Sequence, residues 1–222
     1  MSLLVRRRGF VLGSAATGLG LVSGLRPVLA QEPLKVGFVY VGPVTDNGWT
    51  FRHDVGRKAV EAAYAGKVTT SFVENVPEGP DAERVIRQLA TSGNGLIFTT
   101  SFGFMNPTLK VAKAMPKVRF EHCTGYQTGP NVATYNARFY EGRAVIGTIA
   151  GKMSKSGKVG YIGSFPIPEV IQGINSSYIH AHKANPKVEI SVVWISAWFD
   201  PAKEADATKA LLDQGCDVVL SH

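Results

Sequence analysis

The chain has 222 residues, 45% of them hydrophobic, enough for one large or two small domains with real cores. Its 24 Lys and Arg exceed its 17 Asp and Glu, but Arg6, Arg7, Arg8 and Arg26 stand among the first 30 residues with no acid beside them, and the excess beyond them is about +3. Charge therefore makes no case for a nucleic acid or an anionic surface as partner. Cys123 and Cys216 lie far apart in apolar surroundings, readable as a disulfide or as two buried thiols, and no Cys/His cluster has zinc spacing.

The first 30 residues read as an export signal. A basic stretch ending in Arg6-Arg7-Arg8-Gly9-Phe10 precedes an apolar run of about fifteen residues and a small-residue site, Val28-Leu29-Ala30. The Arg-Arg-x-Phe pattern is similar to a twin-arginine signal. The run is short of the roughly 20 residues a spanning helix needs, and no Cys follows Ala30 to carry a lipid. Cleavage after Ala30 into the periplasm is expected.

Beyond it, strand and helix alternate. Residues 34–41 (LKVGFVYV) read as a buried strand and residues 49–64 as a helix. A strand at 68–74, a helix at 81–91, a strand at 95–100 and a helix at 106–115 follow, the last with Pro107 in its first turn. Strands at 118–121 and 132–135 complete this series. The cycle restarts with a helix at 140–153, a strand at 158–163, a helix at 167–183 and a strand at 188–194. It ends with a helix at 201–212, for which Asp200 is an N-cap, and a strand at 217–220.

Most strands are continuous apolar runs, which belong to parallel sheets covered on both faces. The expected fold class is α/β, with two Rossmann-like lobes parted by the polar break at Asn136-Ala137-Arg138. The lobes are residues 31–136 and 137–222, the second incomplete, as in a fragment of a longer protein.

In open parallel sheets ligands sit beyond the carboxyl ends of the strands. The segments there carry Trp49, Phe102, Phe104, Phe165 and Trp198. Any one of these is readable as core; the set points to two aromatic walls around a flat ring. Asp46, Asn47, Asn106, Asn175 and Asp200 are the polar candidates for its edge. A catalytic reading is weaker. His53 and Asp54 are adjacent on a helix and do not face each other, and a strand end leading into a turn accounts for Glu121-His122-Cys123. No P-loop, Gly-x-Ser-x-Gly or His-Glu-x-x-His occurs, and the glycines at 157–160 do not open a helix.

Several segments, in order, resemble the basic membrane protein (BMP) family of ABC-transporter substrate-binding proteins. They are Lys35-Val36-Gly37-Phe38-Val39 with Thr45-Asp46-x-Gly48-Trp49, then Glu141-Gly142 leading into Gly147-x-x-Ala150-Gly151. Ser156-Gly157-Lys158-Val159-Gly160, Asp200-Pro201-Ala202-Lys203 and Asp213-Gln214-Gly215-Cys216-Asp217-Val218 complete the set. The resemblance implies a type I periplasmic-binding fold that closes about a hinge near Asn136. It implies a purine, adenine-like in the branch that this chain is most similar to, held between Trp49 and Trp198. An ABC permease and its ATPase are the implied partners of a monomer with no enzymatic activity, cofactor or metal. A purine nucleoside as ligand, or a ligand-sensing module feeding a signalling receptor, stays open as an alternative.

Overall fold

The computed structural model describes residues 32–45 and 48–222. The leader read at residues 1–30 and the loop residues Asp46 and Asn47 lie outside the described residues. Strand β1, Leu34–Val39, is the spine of the first sheet. Its register is parallel to β2, Val68–Val73, on one side and to β3, Leu96–Thr99, on the other. Strands β4, Arg119–Cys123, and β5, Val132–Tyr135, extend the sheet in parallel, giving the order β2-β1-β3-β4-β5.

Alternation along β1 sends its side chains to two different cores. Val39 joins Ile86, Leu89, Ile97, Val111 and Phe120 beneath α2, Pro80–Thr91, and α3, Met105–Ala114. Val36, Phe38 and Tyr40 form the opposite cluster, where the Phe38 ring stacks on Phe98 with centroids 4.8 Å apart. Helix α1, Gly48–Ala63, packs on that side through polar groups: its buried residues are Thr50, Asp54 and Arg57. Arg57 Nε donates to Asp54 at 2.7 Å, its Nη1 donates to Thr70 Oγ1 at 2.8 Å, and the guanidinium lies over the Phe72 ring. This network ties α1 to β2 and so fixes the helix whose first turn carries Trp49. Burial pushes the Asp54 carboxyl up, but Arg57 and Lys58 hold it below its ordinary value.

The second sheet has the order β7-β6-β8, again wholly parallel, from β6 (Lys158–Gly163), β7 (Glu189–Trp194) and β8 (Val218–Ser221). Helices α4, Phe139–Met153, and α5, Pro168–Ala184, supply Ala150 and Ala181 to a core with Val159 and Tyr161. Helix α6, Pro201–Asp213, covers Ile162 from the other side with Ala207 and Leu211. Asp217 fixes the turn into β6, accepting from Ser154 Oγ at 2.6 Å and from the Lys155 and Ser156 amides at 2.7 and 2.9 Å. Element order agrees with the sequence expectation throughout, with ends shifted by one or two residues. Cys123 and Cys216 are both buried free thiols.

Gly147 and Gly151 let α4 and α5 touch backbone to backbone. A Cβ on Gly147 would sit 2.7 Å from Ser177 Cα, and one on Gly151 would sit 2.9 Å from Ala181 Cα. Alanine would gain about 1 kcal/mol of helix propensity at either position. The clash costs about 1–3 kcal/mol and wins, because the obstacle is main chain that no rotamer change can move. Gly147→Ala should therefore lower the urea midpoint. Gly142→Ala in the same helix, where a Cβ meets nothing within 4 Å, should raise it.

Candidate functional site

The candidate site is assembled where strands end. Three non-glycine residues with positive φ, Asn75, Thr124 and Ser196, follow β2, β4 and β7 closely. Strained backbone of this kind persists only where the surroundings hold it, and it clusters at functional sites. Of these, Thr124 reaches a cavity of about 570 Å³, within the range of small-molecule sites. Phe102, Thr124 and Tyr126 reach it from the first sheet, Asn136 from the connection, and Phe139, Tyr140, Glu169 and Gln172 from α4 and α5.

Aromatic rings dominate its wall. Phe102, in the 3₁₀ turn Phe102–Phe104, stacks on Tyr126 with centroids 5.6 Å apart and planes at 29°. Phe104 is wholly buried in the core beside Met105 and Val111, a correction to its place among the candidate ligand walls. The tight turn carries Phe102 to the cavity and rotates Phe104 inward.

Both indoles are tethered by their N–H groups. Trp49 Nε1 donates to the Thr100 carbonyl at 2.6 Å, and its ring lies 4.7 Å from His53 and 5.8 Å from Phe139. Trp198 Nε1 donates to Glu78 Oε1 at 3.1 Å, across from the second lobe to the first, and its ring lies 4.9 Å from Phe165. The same Glu78 oxygen accepts from Ser101 Oγ at 2.6 Å and the Gly103 amide at 2.8 Å, on either side of Phe102. Neither indole lines the cavity directly. Trp49 stands behind Phe139, and Trp198 is joined to the Phe102 turn through Glu78.

The polar candidates are spread out. Asp200 caps α6, accepting from the Lys203 amide at 3.1 Å, which holds its carboxyl below the ordinary value. Asn175 borders a second, open depression that shares Tyr140, Pro168 and Gln172 with the cavity. Asn106 is exposed. Glu169, which no sequence motif singled out, is the acid in the cavity wall. Burial pushes its carboxyl up, against the pull of the Asn136 amide and Arg143. Asn136 Oδ1 accepts from the Ala137 amide at 2.8 Å, which turns its Nδ2 toward Glu169 Oε2 at 3.4 Å. The usable signal was positional: Glu169 follows Pro168 in the first turn of α5, just past the end of β6.

The catalytic alternatives find little support in geometry. His53 Nδ1 is bonded to the Trp49 carbonyl one helical turn back, at 3.0 Å. His122 is wholly buried, and burial pushes the Cys123 thiol up to about 12, so it stays protonated and inert. Among the described residues no cluster of three or more His, Cys, Asp or Glu side chains is placed to hold a metal ion, and no helix is long and apolar enough to cross a membrane.

Comparison with known proteins adds four findings. The family model of PnrA-like ABC transporter substrate-binding proteins (Bmp) matches residues 34–222. A purine-binding protein of Brucella abortus is 56% identical over 214 residues, covering 96% of this chain and 58% of that protein. A putative ABC transporter glucose-binding protein of Haloferax volcanii is 39% identical over 191 residues, covering 86% of this chain and 48% of the relative. The chain thus spans about half the length of these relatives. The fold also matches a solute-binding protein of an ABC transporter system from Aeropyrum pernix K1, at TM-score 0.72 and 20% identity, over 85% of this chain and 55% of that one. With its model matched from the first strand to the last residue, this chain belongs to the PnrA-like family of ABC transporter substrate-binding proteins.

Proposed function

We propose that the protein is the exported receptor of an ABC importer and that it binds a purine base between its two lobes. It works in the periplasm after cleavage behind Ala30, as a monomer that delivers its ligand to a membrane permease driven by an ATPase. The observation that carries this reading is the pair of indoles at strand ends in opposite lobes. Each is held by its N–H, Trp49 to Thr100 and Trp198 to Glu78, so that its ring is oriented without using its face. The neighbouring cavity supplies the aromatic rings of Phe102, Tyr126 and Phe139 with polar groups at Thr124, Asn136, Glu169 and Gln172, which suits a planar heterocycle with a polar edge. The 56% identity to a purine-binding protein supports the same ligand class.

Neither indole lines the cavity in this structure, so in this reading Trp49 and Trp198 become the two walls of the ligand when the lobes close about the hinge near Asn136. Phe102 belongs to the cavity wall, and Asp46 and Asn47 keep the role of polar candidates for the ring's edge. Asn175 and Asp200 remain at its periphery, the latter acting through the start of α6. The test is titration of residues 31–222 with adenine, guanine, adenosine and glucose, followed by tryptophan fluorescence. Saturation by a purine base is expected. Preference for adenosine would move the ligand to the nucleoside, and a response to glucose alone would overturn the purine reading.

A further inference from the structure

We propose that Glu169 determines specificity in the cleft by accepting a hydrogen bond from an exocyclic amine on the bound ring. The inference rests on the purine reading above and names the edge of the purine that the cleft selects. The polar inventory of the cavity decides it. Asn136 already accepts from the Ala137 amide and donates to Glu169, and Gln172, an amide that can either donate or accept, does not by itself discriminate ring donors from ring acceptors. Thr124 Oγ1 donates to the Cys123 carbonyl at 2.6 Å.

Glu169 differs. Its Oε2 meets Asn136, while Oε1 has no hydrogen bond among the described residues. The side chain is half-buried in the cavity wall, between the aromatic groups and the first turn of α5. An ionised carboxylate accepts and cannot donate, so an uncommitted oxygen there seeks an N–H. A ring lying along the aromatic wall presents its donors in its own plane, at the rim where Glu169 stands. An exocyclic amine places an N–H at that rim, whether the ligand is a free base or a nucleoside. A ring carbonyl in its place would set two acceptors against each other. Asn136 fixes the carboxylate's orientation, and so serves as a positioning residue for this contact.

The experiment compares adenine with unsubstituted purine, which shares both rings and lacks the amine, by calorimetric titration of the wild-type chain and of Glu169→Leu. Wild type should favour adenine by roughly ten-fold or more, as a hydrogen bond to a charged acceptor allows. In Glu169→Leu the ratio should fall to about one, mostly through weaker adenine binding. Glu169→Gln, which keeps the shape and one acceptor, covers the case in which leucine unsettles the fold; there the ratio should fall by roughly three-fold as the charge is lost. An adenine-to-purine ratio that stays the same in wild type and both variants overturns the assignment while leaving the purine reading intact. A folded wild-type chain that responds to neither base overturns the purine reading, and this inference with it.

Discussion

Trp49→Ala should weaken purine binding by about ten-fold or more while leaving the fold intact. Stacking of a base on an aromatic ring is worth about 1–3 kcal/mol. The indole is well prepared for it: the 2.6 Å bond to the Thr100 carbonyl fixes the ring against the end of β3. His53 and Phe139 brace it at 4.7 and 5.8 Å. Ordering cost is thus met in the free protein, so most of the stacking energy should appear as affinity. Alanine is a good helix former and suits the first turn of α1, so far-UV circular dichroism should be unchanged. Trp49→Phe separates two contributions. It keeps a stacking face and loses the N–H tether, so it should fall between wild type and alanine. Trp198→Ala should show a comparable loss, with a further consequence: Glu78 loses the donor that links the two lobes. An affinity unchanged in both alanine variants would remove the two-walled site.

The second large effect expected is on stability, from His122. It is wholly buried in β4, between Thr99 of β3 and Thr134 of β5, and neither ring nitrogen has a hydrogen-bond partner among the described residues. Gly125 lies against it so closely that a Cβ there would sit 2.7 Å from His122 Nδ1. Burial pushes the imidazole down to about 4, because the charged form would lie in a dry, unpaired site. In the unfolded chain the ordinary value is about 6.5. Between these values the unfolded chain binds the extra proton, so stability rises with pH across this window. It is fully present above about 6.5 and is lost progressively as pH falls toward 4. The difference amounts to about 3 kcal/mol. Denaturant titrations from pH 4 to pH 7 should show this slope, and His122→Phe should remove the His122 share of it, leaving the part that comes from His222, which burial and Arg143 also push down to about 4. The variant should not be badly destabilised, since it also removes a buried polar group that lacks a partner. An identical slope in wild type and variant would assign the proton uptake to other groups, namely His222 and His53, whose values burial also lowers.

The two effects concern different layers of one architecture. Trp49, Phe102 and Glu169 stand beyond the strand ends, where the main chain is free to present side chains to a ligand. His122 lies one residue inside, where the sheet must be closed. The step from His122 to Thr124, whose φ is +65°, is the boundary between the two.

Element order was legible because it depends on neighbours in sequence. The apolar run of β1, the 3.6-residue spacing of Val85, Ile86 and Leu89, and Asp200 ahead of Pro201 are local signals, and the structure uses each as expected. The aromatic residues at strand ends were legible for the same reason: a parallel sheet fixes which loops share a face. Which of them face the cavity was not. Phe102 and Phe104 are two residues apart, and the turn sends one to the cavity and the other to the core.

Polar partnerships between distant segments belong to the tertiary structure. Glu78 meets Trp198 across 120 residues, Asp217 meets Ser154 across 63, and Asn136 meets Glu169 across 33. A carboxylate seeks any well-placed donor, and its own neighbours in sequence do not say which donor that will be. The alternating α/β chain, its parallel sheets and the loops beyond the strand ends follow from the residues alone, because periodicity and chain connectivity act locally. The tertiary structure alone decided that Glu169 is the cavity's acid and that Glu78 bridges the lobes to Trp198, because hydrogen bonds of 3 Å reach depend on how distant segments pack.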